Sequence, residues 1–197
     1  MKRKITEIAN IQIGYQFRKR LEPVESGTNK VIQIRDFDQD LILRKEALSW
    51  VQIDKPADSY LLKKGDILFL SRGHKNWAVS MVDDLRDTIT VSHFFVLRIK
   101  EQNVIPEYLA WYINQAPAQE YLHSNARHGT HMPLIPLSAF KGLTVEVPDM
   151  ETQRKIVELS KLLDEEKQLL NELQEKRSLL IKTVCLEASR SKKEKTK

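Results

Sequence analysis

The chain has 197 residues, 41% hydrophobic and 30% charged, which is the balance of a folded protein with room for one well-cored domain and one further element. No apolar run approaches the roughly 18 residues that suggest a membrane span, the basic start Met1-Lys2-Arg3-Lys4 leads into no apolar signal core, and the single Cys185 cannot form an internal disulfide, so a cytoplasmic protein is expected. The net charge of +5 is mostly local: residues 1–149 carry 20 basic and 18 acidic side chains, whereas residues 190–197 carry 5 basic and 1 acidic, so total charge alone says little about nucleic acid.

Up to Pro148 the chain reads as short strands with a few helices. Val31–Ile34, Asp66–Leu70, Trp77–Val82, Thr88–Val91 and Phe94–Ile99 are β-branched or aromatic runs of strand length. Leu143–Val147 alternates apolar and polar residues, as a half-buried strand does. Turn residues separate these runs at Gly27–Asn29, Lys64–Asp66, Arg72-Gly73 and Asp83-Asp84. Pro106–Asn114 opens with proline in a first helical turn and is amphipathic, and a second helix is expected from Pro117 to Ser124. The aromatic side chains of Tyr108–Tyr112 recur at helical spacing and are expected in the core. Strands interrupted by helices without regular alternation predict an α+β domain with a mixed sheet over residues 1–149.

Beyond Pro148 glycine and proline disappear. Asp149 is suited to be an N-cap, with Glu151 in the positive first turn. From Ile156 onward the apolar residues follow a heptad, with Ile156, Leu163, Leu170 and Val184 at a and Leu159, Leu173 and Leu180 at d. Glu166, Arg177 and Glu187 interrupt the seam, and Leu162 and Leu169 widen it. A helix over residues 150–188 is therefore predicted, about 57 Å long at ~1.5 Å per residue. The preceding domain is too small to cover such a stripe, so a dimeric coiled coil is expected, followed by a disordered basic tail at 189–197.

The order of local patterns resembles the specificity subunits of type I restriction-modification systems. Gly14–Arg18 resembles the glycine-and-basic turn that opens a target recognition domain, and Val31–Asp36 its first core strand. Leu62–Phe69 followed by Arg72-Gly73 matches the family's Leu-x-x-Gly-Asp-Ile-Leu strand and turn. Ser92–Arg98, Tyr108–Ile113 and Gly129-Thr130 before Leu134-Ile135 follow in the family's order, and Leu143–Pro148 with Gln153–Val157 resembles the junction into a spacer helix. Each fragment is weak alone; together they span the chain to about Ala188. Full-length members carry two such halves, whereas this sequence has one, as in half-subunits that dimerise.

The resemblance implies a non-catalytic DNA-binding subunit. As a homodimer it would read a bipartite double-stranded site and direct a methyltransferase subunit to it, with a restriction translocase as a further partner. Those partners would hold S-adenosylmethionine and the chemistry, and this chain would need no cofactor. Three polar loops are the candidate DNA contacts: Gln16, Arg18, Lys19 and Arg20; Arg72, His74, Lys75 and Asn76; and Arg127, His128, Thr130 and His131. Arginine and lysine donate to guanine, while asparagine and glutamine pair with adenine through two hydrogen bonds. Solvated surface is the plainer reading of each loop. The alternative at the level of function is a coiled-coil assembly or regulatory module that reads no sequence itself.

Catalytic readings fare less well. A methyltransferase needs a glycine turn after a strand and an Asn/Asp-Pro-Pro-aromatic motif, and neither is present. Pro148-Asp149 with Glu151 and Lys155 has a nuclease-like composition, but its spacing cannot gather those groups around one metal. Asp66 fits turn chemistry, Arg35 beside Asp36 fits an ion pair, and His123, His128 and His131 without cysteine make no standard zinc pattern.

Overall fold

In the computed structural model, which describes residues 1–53, 58–127 and 132–191, the chain divides into two units, residues 1–154 and 155–197. In chain order the elements are β1 (Lys2–Lys4), α1 (Ile5–Ile8), β2 (Ala9–Ile13), β3 (Asn29–Ile32), β4 (Ser49–Val51), β5 (Ile67–Leu70), β6 (Ala78–Ser80), β7 (Thr88–Thr90), β8 (Phe94–Ile99), α2 (Pro106–Ile113), α3 (Ala116–Ser124), α4 (Leu137–Lys141), β9 (Thr144–Glu146) and α5 (Met150–Ser191). Short 3-10 turns lie at Ile34–Asp36, Lys45–Ala47 and Asp58–Tyr60. The fold is thus mixed α+β followed by one long helix, as expected. β1, β2, β4, α1 and α4 are additions to the elements expected from sequence.

An antiparallel sheet in the order β2-β8-β5-β6 forms the centre. A second sheet, β4-β3-β7, pairs β3 antiparallel to β4 and parallel to β7, which makes it mixed. β1 and β9 form a two-stranded ribbon. Successive strand residues point to opposite faces, and in β5 and β8 both faces are covered. Ile67, Phe69, Phe95 and Leu97 enter one core with the helices, while Leu68, Leu70, Phe94 and Val96 enter another with Ile32, Phe37 and Leu62. A strand buried on both sides needs a continuous apolar run, and Ile67–Leu70 is one.

The helical core is anchored by Phe69 stacked on Phe140, centroids 4.4 Å apart, with Phe95 edge-on to Phe140 at 5.4 Å. Each fully buried ring contributes about 1.5–3 kcal/mol relative to exposure. Tyr108 belongs to this interior at 2% exposure and donates its hydroxyl to Glu146 O at 2.6 Å. Burial, with Tyr112 and Glu146 adding to it, pushes the Tyr108 phenol up to about 12.

The start of α5 is tied down within the first unit. Asp149 Oδ1 accepts the Thr152 N–H at 2.9 Å and Oδ2 accepts the Thr152 hydroxyl at 2.8 Å, so Asp149 is the N-cap. Those hydrogen bonds hold its carboxyl below the usual carboxylate range. Gln153, fully buried, donates to Asn103 O and Pro148 O and accepts from the Ile105 N–H, all at 2.9 Å. With no glycine or proline to stop it, α5 continues for 42 residues to Ser191, past the predicted end at 188. In the helical unit Leu159, Leu163, Leu170, Leu173, Leu180 and Val184 are 44–66% exposed, and Ile156 is half-buried. Among the described residues no helix is long and apolar enough to cross a membrane.

Candidate nucleic-acid interface

The first polar loop leaves the end of β2 through Gly14. A β-carbon at Gly14 would lie 2.3 Å from Val91 O, so only glycine allows this approach. Gly14 N–H donates to Phe94 O at 2.9 Å and Tyr15 N–H to Thr90 O at 2.7 Å. Tyr15 then packs edge-on against Phe17 and Tyr60, at 4.9 and 5.2 Å, which holds the loop from beneath. Gln16, Arg18, Lys19 and Arg20 are exposed.

The second loop follows β5. Ser71 donates its N–H and its hydroxyl to His93 O, at 2.9 and 2.8 Å. Gly73 takes φ +139° and donates its N–H to Pro133 O at 3.0 Å, while Ile135 N–H donates to Ser71 O at 2.8 Å. Arg72, His74 and Lys75 are exposed. Asn76 corrects the sequence reading: it is 8% exposed and donates Nδ2 to Leu70 O at 2.8 Å. Its amide closes the β5–β6 connection instead of facing outward to adenine.

The third loop joins the second through the same short segment. Arg127 and Leu134 exchange N–H···O bonds at 2.9 and 3.3 Å, and Leu134 also bridges to Arg72. Arg127 is exposed. His128, Thr130 and His131 lie outside the described residues.

These bonds form a main-chain ladder running from Gly14-Tyr15 to Thr90–Phe94, then to Ser71–Gly73, Pro133–Ile135 and Arg127. Segments far apart in sequence thereby become neighbours. Arg18, Lys19, Arg20, Arg72, Lys75 and Arg127 have no carboxylate partner among the described residues. Elsewhere arginines serve structure: Arg3 pairs with Glu101 through two hydrogen bonds, and Arg98 does the same with Asp66. Arg35 lies 3.9 Å from Asp36, the ion pair expected of it.

Sequence reasoning passed over His93 as a site residue. Its signal was a polar Ser-His pair in the connection between two apolar strands. Burial first, then the neighbouring Arg72 guanidinium, hold its imidazole below the ordinary histidine value.

A cleft of about 400 Å³ is bounded by Met1, Arg3, Asn103 and Val147–Met150, and no residue of the three loops lines it. Asp149 there is committed to Thr152, which agrees with a cap and not with a nuclease carboxylate. Among the described residues no group of three or more histidine, cysteine, aspartate or glutamate side chains could hold a metal ion.

Residues 1–175 match the family model of the type I restriction modification DNA specificity domain, and the chain belongs to that family. The specificity subunit of the type I restriction enzyme HindI from Haemophilus influenzae is 32% identical over 111 residues, covering 55% of this chain and 24% of that subunit. The S subunit of the type I system from M. genitalium superposes with a TM-score of 0.56 at 16% identity, covering 84% of this chain and 39% of that one. The HsdS subunit from Thermoanaerobacter tengcongensis gives 0.59 at 17% identity, covering 88% and 44%. A structure from work on complex assembly and conformational transition of the type I R-M system gives 0.63 at 16% identity, covering 93% and 43%. At these identities the solved structures speak to the fold. The chain spans less than half the length of each of these relatives.

Proposed function

We propose that this chain is a non-catalytic, sequence-reading DNA-binding subunit whose recognition domain occupies residues 1–149 and whose assembly helix begins at 150. As a dimer it reads a bipartite duplex site and delivers that site to a methyltransferase subunit, with a restriction translocase as a further partner. The observation that carries this reading is the main-chain ladder, which joins all three candidate loops with exposed cations beside it. Phosphate contacts from lysine and arginine set register on a duplex, and base-edge contacts set sequence. A framework fixed by backbone bonds suits both tasks, because it holds exposed side chains at defined separations.

The dimer rests on the heptad stripe. A helix of 42 residues spans about 63 Å at ~1.5 Å per residue. Two such helices paired antiparallel carry the recognition domains at opposite ends and present the same surface twice, which makes the preferred site an inverted repeat. At ~3.4 Å per base pair the helix sets a limit of roughly 18 base pairs between half-site centres, and overlap of the domains shortens it toward one helical turn.

Selection of bound duplexes from a random pool by the purified full chain, repeated across a salt series, tests this. Two short half-sites in inverted orientation around unread bases are expected. A contiguous, non-palindromic site would rule out the antiparallel homodimer. Binding without preference at every salt concentration would favour the assembly or regulatory module, for which the exposed leucines of α5 are the supporting feature.

A further inference from the structure

We propose that the Ser92-His93 turn is a fourth reading element and that the His93 side chain contacts a base edge. The inference rests on the DNA-reading function proposed above and names a specificity-determining residue for it.

The turn joins β7 to β8 and is closed by Phe94 N–H donating to Val91 O at 3.1 Å. It occupies the interior of the ladder. On one side Gly14 and Tyr15 bond to Phe94 O and Thr90 O, and on the other Ser71 bonds to His93 O. The turn thus lies between the backbone anchors of the loop after Gly14 and the loop after Ser71, within reach of a duplex that touches both. Both residues are half-exposed, so the turn is accessible from the surface.

The structural work of residue 93 is done by its carbonyl, which accepts the two Ser71 hydrogen bonds. Among the described residues the His93 imidazole makes no hydrogen bond or ion pair. A half-exposed ring on a backbone fixed from both sides, with its polar atoms unused, is poised for an external partner. Burial and the Arg72 cation both favour the neutral ring. A neutral imidazole carries one donor and one acceptor. It can accept from the amino group of adenine or cytosine, or donate to guanine N7 or O6. Arg72 beside it supplies the charge that anchors a neighbouring phosphate or guanine, so the two side chains divide the work.

The experiment is selection from random duplexes with the full chain, comparing wild type, His93→Ala, His93→Gln and Arg72→Ala. His93→Ala is expected to relax preference at one base position of each half-site, with discrimination there falling about tenfold, while affinity for non-specific duplex is unchanged. His93→Gln, whose amide holds its donor and acceptor in a different geometry from the imidazole, is expected to redirect preference at that same position. Wild-type preference at every position in both His93 variants, alongside altered preference in Arg72→Ala, would overturn the role of His93 and leave the DNA-reading function standing. Absence of preference in the wild-type chain would instead remove that function, and the role of His93 with it. Should the alanine variant fold poorly by thermal melting, the glutamine variant decides: an unchanged site overturns the proposal.

Discussion

Arg98 holds Asp66 through two hydrogen bonds, Nε to Oδ1 at 2.8 Å and a terminal guanidinium nitrogen to Oδ2 at 2.6 Å, while the Asp66 side chain is only 1% exposed. Asp66 Oδ2 also accepts the Lys63 N–H at 2.8 Å, closing the turn in which Gly65 takes φ +87°. One carboxylate thus fixes both the entry to β5 and its neighbour β8. Arg98→Met should leave that carboxylate buried without its cation. Removing one partner of a buried pair costs about 3–5 kcal/mol; because the Arg98 side chain is 35% exposed and water can reach the site, roughly 2–3 kcal/mol is expected. The urea midpoint should fall with an unchanged slope. A midpoint equal to wild type would mean that the pair contributes nothing.

Gly14→Ala should uncouple the first loop from the turn beside it. The new methyl group would meet Val91 O at 2.3 Å and Thr90 O at 2.7 Å, both main-chain atoms with little freedom to yield. Overpacking of this kind costs about 1–3 kcal/mol. Hydrogen exchange at the Tyr15 amide, which donates to Thr90 O, should accelerate in the variant more than exchange in β8. Equal protection in both proteins would count against the steric account.

Alkaline titration should single out Tyr108. Its folded-state pKa of about 12 lies above the ordinary value of 10.0, so the folded chain holds the phenolic proton more tightly than the unfolded chain does. The resulting stability is complete below pH 10 and is lost as pH rises toward 12. Tyrosinate absorbance should therefore report one of the 5 tyrosines ionising late and together with unfolding. Tyr108→Phe should abolish that late step.

Leu163→Glu combined with Leu170→Glu places charges in the middle of the heptad stripe and should convert the proposed dimer to monomers or insoluble chain. The recognition unit should keep its circular dichroism and its melting transition. Analytical ultracentrifugation is the direct measurement. A monomeric wild-type chain unaffected by the double change would end the dimer proposal. The exposed Cys185 adds a reading of orientation, since parallel helices would crosslink readily through it and antiparallel helices poorly.

Where local sequence carries the decisive signal, the elements were legible. β8 matches its apolar run Phe94–Ile99 residue for residue, and α2 begins at the proline that announces it. β2 was missed because Asn10 and Gln12 dilute its apolar content; it becomes a strand by pairing with β8. β4 and α4 are short and owe their conformation to tertiary partners, β3 in the case of β4. The basic loops could be picked out by composition, but their adjacency could not, because Arg72, Leu134 and Arg127 meet through main-chain bonds that leave no mark on residue type. Asn76 was misread for a related reason: nothing local indicates that the Leu70 carbonyl will claim its amide.

The ladder that joins these loops uses one side-chain group, the Ser71 hydroxyl, and is otherwise backbone. Gly14 and Gly73 are constrained by the approach and the φ value they adopt. Among the described residues the exposed side chains around them contribute no hydrogen bond to the frame. Substitutions at Gln16, Arg18, Arg72, Lys75 or Arg127 can therefore accumulate without disturbing the geometry in which they are displayed. Such a surface is inexpensive to rewrite: under the proposed function, a lineage could acquire a new DNA address through a few changes of side chain while the fold stays as it was.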